Sequence, residues 1–209
     1  MGFLRDNWCA FVLFTAILIL MPFDGQVIVS MREFKESGGN LNHFFDILMP
    51  IATLLGHGSA IIILGILLLA LGKSMKWSRV FFTGKYILIG FLVSGISVQL
   101  IKHLFGRARP RLTEDIVFIG PSFVSGFDSF PSGHTAVVFC LAYMFASIDK
   151  RLAPLLFTIA IVTGIERVYN MSHFPSDVVA GALTGIAFAQ LLRRKKDYVN
   201  EYKNIGTSF

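Results

Sequence analysis

The chain reads VFFTGKYILIGFLVSGISVQL from Val80 to Leu100, a mainly apolar stretch in which Lys85 is the one charged residue. An α-helix needs about 20 apolar residues to cross the hydrocarbon of a bilayer. Similar stretches recur approximately from Trp8 to Phe23, Met49 to Leu71, Thr135 to Ser147, Ala153 to Val168 and Val178 to Leu192. The sequence therefore predicts an all-α polytopic membrane protein, a bundle of six transmembrane helices.

The composition supports this prediction. Only 15% of the 209 residues are charged, whereas a soluble domain has about 25%. No Pro/Ser-rich linker, low-complexity tract or sustained repeat divides residues 1–209, so we predict a single membrane-embedded domain. The formal net charge of +6 does not indicate nucleic acid, because most basic residues lie at the ends of apolar runs and no nucleic-acid motif is present.

A mixed segment separates the first two predicted spans. Apolar residues with the i, i+3, i+4, i+7 spacing of an amphipathic helix are Leu41, Phe44, Phe45 and Leu48. Gly38-Gly39 separates them from another mixed segment, Val27 to Glu36. We predict an interfacial helical hairpin between helices 1 and 2, which either covers the bundle or guides a lipid toward a site.

The basic residues predict the orientation. With six spans, one side of the membrane carries Arg5, Lys73, Lys76, Arg79, Lys150, Arg151, Arg193, Arg194, Lys195 and Lys196. The positive-inside rule makes that side cytoplasmic and places both termini there.

Three segments on the predicted outer side carry an unusual set of ionisable residues. They read KHLFGRARP from Lys102 to Pro110, PSGH from Pro131 to His134, and RVYNMSHFPSD from Arg167 to Asp177. Ionisable groups at membrane depth are costly and indicate function by default. A lysine and two arginines without matching carboxylates repel one another, and a phosphate group removes that repulsion because guanidinium groups bind its oxygens bidentately.

Two of these segments have a local geometry suited to phosphate chemistry. Ser132 precedes the fourth span and can cap it, while the amide near Gly133 can point at an anion; simple helix capping explains this tetrapeptide equally well. His173 and Asp177 are four residues apart near a helix start, so the carboxylate can orient the imidazole for attack on phosphorus. A lone histidine there is more often a cap or packing residue, but the three segments together favour a nucleophile.

The three segments resemble the signature of the type 2 phosphatidic acid phosphatase (PAP2) superfamily. The K-x6-R-P motif matches at Lys102, Arg109 and Pro110; P-S-G-H matches at Pro131 to His134; and R-x5-H-x3-D matches at Arg167, His173 and Asp177. The family places Ser before that arginine, whereas this chain has Glu166. This departure puts one phosphate contact and the substrate range in question.

The resemblance implies a role for each matched residue. His173 is the expected nucleophile, Asp177 orients it, and His134 protonates the leaving group and later activates water. Lys102, Arg109 and Arg167 would hold the phosphoryl oxygens, assisted by Ser132 and the Gly133 amide. The implied enzyme is a bacterial inner-membrane lipid phosphatase that works without a metal or another cofactor and faces the periplasm.

The substrate and the reaction class stay open at this point. Family resemblance suggests phosphatidylglycerophosphate, phosphatidic acid, undecaprenyl diphosphate or lipid A. The alternatives are a lipid phosphotransferase that uses the same phosphohistidine and a non-catalytic lipid-binding or transport protein. Nothing in the sequence fixes the oligomeric state.

Other ionisable residues have simpler interpretations. His57, in the second predicted span, fits a satisfied packing histidine. His103, Arg107 and Arg111 adjoin the first motif and are expected either to contact lipid headgroups or to be plain surface charges.

Overall fold

The computed structural model describes residues 11, 12 and 14–194, and this part of the chain forms helices without strands. The prediction of an all-α fold is confirmed. We number the helices α1 (Phe14–Glu36, with a 3-10 turn at Met21–Phe23), α2 (Asn40–Gly56), α3 (Gly58–Ser74), α4 (Ser78–Phe105), α5 (Gly133–Ile148), α6 (Ala153–Tyr169) and α7 (Pro175–Arg194).

Four helices in the described part have the length and composition to cross a membrane: α1, α4, α6 with its preceding turn, and α7. Helices α2 and α3 qualify only as a pair, and they are bent by 55° at their junction. Helix α5 has 16 residues, fewer than the roughly 20 that a full crossing needs. The chain is an integral membrane protein, and the count of six spans stays a prediction.

The first third of the chain differs from the predicted boundaries. The segment Val27–Glu36 lies in the helical stretch Asp24–Glu36, which continues α1 after the 3-10 turn, and Leu41–Leu48 is the first half of α2. They meet at Gly38-Gly39, where Gly38 has φ +64°, a left-handed conformation that glycine adopts without steric cost. The interfacial placement of this turn stays a prediction.

The predicted second span, Met49 to Leu71, is not one straight helix. It breaks at His57, whose extended backbone (φ −73°, ψ 125°) ends α2 and begins α3. Gly56 and Gly58 flank this residue, and glycines are signals for a helix break. Hydropathy alone does not show the break, because it reports burial in lipid and not backbone continuity.

Part of the predicted topology lies outside the described residues. This applies to the first residues of the predicted first span, Trp8 to Ala10, and to Arg5, Lys195 and Lys196, on which the predicted cytoplasmic side partly depends. The outward-facing surface of the described helices is strongly apolar, as at Ile47 and Leu100, which are 73% and 70% exposed. Such side chains are suited to contact with lipid.

Helices α5 and α7 pack so closely that their ends have fixed relative positions. A Cβ atom at Gly185 of α7 would lie 2.1 Å from the backbone oxygen of Ala136 in α5, and one at Gly181 would lie 2.5 Å from the oxygen of Ser132. Only glycine permits this backbone approach. The packing places the N-terminus of α5 beside that of α7.

The loop from Gly106 to Ser132 covers this end of the bundle. Its backbone is fixed by hydrogen bonds from Ser129 to Arg107 (3.0 Å), from Arg109 to Gly126 (2.9 Å) and from Ser132 to Asp177 (2.9 Å). The loop therefore presents its charged side chains to the starts of α5 and α7.

Candidate active site

The structure brings the three predicted segments together at one end of the bundle. Lys102 lies in the last turn of α4, Gly133 begins α5, and His173 lies in the turn between α6 and α7. A Cβ atom at Gly133 would lie 3.8 Å from Lys102 Cε. His173 lies within electrostatic range of Lys102 and Arg109, and His134 lies within range of Lys102, Arg167 and His173.

Two of the predicted cations share an acidic partner, Asp128. Arg109 donates from Nε and Nη2 to the two carboxylate oxygens of Asp128, at 2.8 and 2.7 Å, and Lys102 Nζ donates to the Asp128 backbone oxygen. Burial alone would raise the pKa of the Asp128 carboxyl. The hydrogen bonds from Arg109 and the charge of Lys102 outweigh that effect and hold this pKa below its usual range.

Arg167 is held by the residue that departs from the family pattern. Its Nε and Nη2 donate to the carboxylate of Glu166, which is fully buried. Thr53 of α2 also donates to Glu166, at 2.6 Å, and so does the Asn170 side chain. Glu166 is therefore a direct partner of one predicted phosphate ligand and does not point away from the site.

His173 is 3% exposed, and its ring is held by a backbone group. Nδ1 lies 2.7 Å from the Ser129 carbonyl oxygen and 3.8 Å from Asp177 Oδ2. The nitrogen therefore hydrogen-bonds Ser129, and the expected direct bond to Asp177 is replaced by a longer electrostatic contact. Burial lowers the pKa of His173 to about 4; Asp177 opposes this shift, and Lys102 and Arg109 reinforce it.

Asp177 acts on His173 through the backbone around it. Its Oδ2 accepts hydrogen bonds from the Ser129 hydroxyl at 2.6 Å and from the Phe174 amide at 2.9 Å. These contacts fix both the carbonyl that binds the ring and the turn that carries His173. The predicted orienting role of Asp177 is therefore compatible with the geometry, by an indirect route.

Arg107 contradicts the expectation that it contacts headgroups or water. Its side chain is completely buried and donates from Nη1 to Asp177 Oδ1 and from Nη2 to Asp24 Oδ2, the latter at 2.7 Å. Because two buried carboxylates bind the guanidinium, Arg107 has no free surface for a headgroup.

The start of α5 has the predicted position but a different capping contact. Ser132 is the N-cap residue, yet its hydroxyl lies 2.9 Å from the Thr135 hydroxyl and makes no side-chain cap to a backbone amide. His134 Nε2 is buried without a hydrogen-bond partner in the protein, and the His57 ring lies edge-on to His134 at 5.9 Å. His57 thus borders the site and is exposed, in contrast to the predicted packing histidine.

Several residues at the site were missed by the sequence motifs. Asp24, Asp128 and Ser129 lie outside all three motifs, although each contacts a predicted site residue or Arg107. The available signal for Asp24 was its charge beside a long apolar run, which indicates function by default. Asp128 and Ser129 lie in an irregular loop with no periodic pattern.

The comparisons with known proteins agree with this geometry. A family model described as the PAP2 superfamily matches residues 83–201. The chain is 32% identical over 205 residues to the lipid A 1-phosphatase of Rhizobium etli, covering 90% of this chain and 84% of that protein. It is 30% identical over 203 residues to the lipid A 1-phosphatase of Rhizobium johnstonii, covering 90% and 80%.

Two crystal structures have a similar fold. One is a transmembrane PAP2 type phosphatidylglycerolphosphate phosphatase from Bacillus subtilis, with TM-score 0.65, 23% identity, and 89% of this chain and 94% of that chain covered. The other is Aquifex aeolicus LpxE, with TM-score 0.58, 28% identity, and 78% and 92% covered.

Proposed function

Because this chain belongs to the PAP2 superfamily and is a lipid phosphatase, we propose that it removes phosphate from a membrane lipid through a phosphohistidine on His173. One observation carries this proposal. Cations from α4, the following loop and α6 lie within electrostatic range of two histidines, His134 and His173, at one end of the bundle. This arrangement can neutralise a phosphoryl group beside an imidazole nucleophile.

In the first step, Nε2 of His173 attacks phosphorus and the P–O bond to the lipid breaks. The contact from Nδ1 to the Ser129 carbonyl supports this role, because a ring that donates from Nδ1 keeps its lone pair on Nε2. His134, in its protonated form, gives the proton to the leaving oxygen, and its unpartnered Nε2 is available for that oxygen.

In the second step, a water molecule attacks phosphorus in the phosphohistidine. His134, now neutral, accepts a proton from this water while the N–P bond breaks. Orthophosphate leaves, and His173 returns to its neutral form. The cycle consumes one water for each phosphate released.

The three cations are positioned before the substrate binds. Arg109 and Arg167 each use Nε and Nη2 on a carboxylate, and Nη1 of each guanidinium is left for a phosphoryl oxygen. Asp128 and Glu166 therefore fix the donors and offset two of the three positive charges. The free donors and the one remaining positive charge would then act on the phosphoryl group, and we propose that they do so without a metal ion.

The relatives guide the choice of substrate. Both Rhizobium relatives are lipid A 1-phosphatases and are aligned over most of their length. We therefore place the 1-phosphate of a lipid A-type glycolipid first among the four candidates. The site would face the periplasmic side of the bacterial inner membrane, as the positive-inside rule predicts.

A phosphate-release panel tests the function. Purified protein in detergent with a chelator is given lipid A, phosphatidylglycerophosphate, phosphatidic acid and undecaprenyl diphosphate, with His173→Ala as the blank. We expect the fastest release from the 1-position of lipid A. Fastest release from another lipid would overturn the choice of lipid A, and release that persists in the blank would overturn the mechanism.

The pH below which activity is lost should lie well below the usual pKa range of histidine. The nucleophile must be neutral, and burial lowers the pKa of His173 to about 4, so the neutral form persists above that pH and is lost as pH falls through it. We expect kcat/KM, divided by the dianionic fraction of the substrate, to fall near pH 4. An acid limb near pH 6.5 after that correction would contradict this assignment.

Replacing Glu166 with serine should strengthen phosphate binding. The variant removes the negative charge that offsets Arg167, so we expect the inhibition constant of orthophosphate to fall by about tenfold, roughly 1.4 kcal/mol. Asn170→Ala is the matched control, because it removes a partner of Glu166 without changing charge. An unchanged or weaker inhibition by orthophosphate in Glu166→Ser would show that Glu166 does not limit phosphate binding.

A further inference from the structure

A buried ion cluster, defined as Asp24, Arg107 and Asp177, lies behind His173. All three side chains are completely buried, although they come from α1, the loop after α4 and α7. Asp24 lies in α1, which carries none of the motif residues. It accepts hydrogen bonds from Arg107 Nη2 at 2.7 Å, from the Ser176 amide at 3.0 Å and from the Ser176 hydroxyl.

The cluster continues to the nucleophile through short contacts. Arg107 Nη1 donates to Asp177 and to the Ser176 hydroxyl, the latter at 2.8 Å, and its guanidinium carbon lies 4.3 Å from the centre of the Phe174 ring. Asp177 in turn binds the Ser129 hydroxyl, and the Ser129 carbonyl binds the His173 ring. A connected path therefore joins α1 to the imidazole.

The charge of the cluster bears on the reaction. Attack on phosphorus gives the His173 ring a positive charge, and Asp177 Oδ2 lies 3.8 Å from its Nδ1. A full positive charge on Arg107, with no other partner, would cancel the effect of Asp177 on the ring. Asp24 shares that guanidinium, so with both carboxylates ionised the cluster keeps one net negative charge.

We infer that Asp24 is a positioning residue for catalysis: by binding Arg107 and the first turn of α7, it leaves the cluster with a net negative charge toward His173 and holds Asp177 in place. The inference rests on the proposed phosphohistidine mechanism and assigns a role to a helix outside the motifs. Asp24 does not contact substrate, so it should affect the rate of phosphoryl transfer more than substrate binding.

The other charged and titratable groups that face His173 come from several elements. Outside the cluster they are Lys102 of α4, Arg109 of the loop and His134 of α5. An Asp24 substitution replaces none of them. A change in the titration of His173 would therefore report on the cluster.

The test compares Asp24→Asn with the unaltered enzyme by rapid quench and by pH profile. We expect the rate of phosphohistidine formation to fall by about 10- to 100-fold, KM to change by less than about twofold, and the acid limb of kcat/KM to move to lower pH. In Asp24→Asn the cluster loses its net negative charge. The acid limb moves because the imidazolium form of His173 then becomes less stable.

A matched control is Glu114→Gln, which breaks the exposed ion pair between Arg32 of α1 and the same loop. It should leave the rate and the pH profile unchanged. The double variant Asp24→Asn/Arg107→Gln restores one net negative charge on Asp177, so its acid limb should move to higher pH than that of Asp24→Asn. If Asp24→Asn alone does not fold, Arg107→Gln alone provides the test, because it leaves two negative charges in the cluster and its acid limb should move to higher pH than that of the unaltered enzyme.

Three results bear against the inference or its premise. If the acid limb lies at the same pH in Asp24→Asn, in the double variant and in the unaltered enzyme, the cluster has only a structural role, even where less folded protein is recovered. Wild-type rates in Asp24→Asn would overturn the inference directly. Absence of phosphohistidine in the unaltered enzyme would instead overturn the proposed function, so the two failures are distinguishable.

Discussion

The variant His173→Ala is expected to release lipid phosphate more slowly by on the order of 10⁴-fold or more, because it lacks the atom that accepts the phosphoryl group. The three cations remain, so KM should stay within about tenfold of its original value. Initial rates of phosphate release from lipid A measure both quantities. This is the largest effect that the mechanism predicts for one side chain.

A histidine elsewhere at the same end of the bundle provides the control. His103 lies next to Lys102 in sequence, but its ring stacks on Phe123 at 4.4 Å and its Nδ1 lies 2.9 Å from the Ser122 carbonyl. We expect His103→Ala to retain activity within about tenfold, as for residues away from the reacting atoms. Comparable losses in both variants would indicate damage to the fold, and retained activity in His173→Ala would exclude this nucleophile.

The variant His134→Ala is expected to show the second largest effect, and the effect should depend on the leaving group. Loss of a general acid and base costs about 10²- to 10⁴-fold. A lipid alkoxide needs its proton in the first step, whereas p-nitrophenolate leaves without one. With p-nitrophenyl phosphate we therefore expect a burst of p-nitrophenol followed by slow turnover, because hydrolysis of the phosphohistidine still requires a base.

The neighbouring histidine tests whether this effect is specific. His57 faces the His134 ring from the break between α2 and α3, and its Nδ1 lies 2.8 Å from Ser59 Oγ. We expect His57→Ala to slow both substrates by less than about tenfold and to give no burst. Equal slowing of both substrates in His134→Ala, without a burst, would remove His134 from the proton-transfer role.

The sequence predicted the helical class and the residues of the three motifs because both depend on local patterns. Long apolar runs indicate helices that can cross lipid, and the motif spacing indicates which residues lie at the same helix end. The structure confirms the all-α class and places Lys102, Arg109, His134, Arg167 and His173 at one end of the bundle. Their individual roles stay predictions that the experiments above test.

The partners of these residues were not predictable because they are distant in sequence. Arg107 binds residues 83 and 70 positions away, Asp24 and Asp177, and no periodicity links such positions. A count of charges led us to expect repulsion among unpaired cations at the three motifs. Asp128 and Glu166 reduce that repulsion. In the sequence they are only isolated acidic residues, without a sign of which cation each one binds.

The break at His57 has a similar cause. The apolar run that contains His57 qualifies as a span only as a bent pair of helices, and the packing at its break involves residues that are distant in sequence. A Cβ atom at the preceding Gly56 would lie 2.6 Å from Thr163 Cγ2 and 3.3 Å from His134 Cδ2. The end of α2 is thus held against α5 and α6 by a close approach that hydropathy does not encode.

The covalent intermediate is the central claim, and acid-free quenching followed by peptide mass spectrometry tests it most directly. The unaltered enzyme is mixed with lipid substrate, stopped within milliseconds in alkaline denaturant and digested without exposure to acid. We predict a phosphate-sized mass increase localised to His173 and missing in His173→Ala. Rapid turnover with His173 unmodified at every quench time, under conditions that preserve a phosphohistidine standard, would contradict the account.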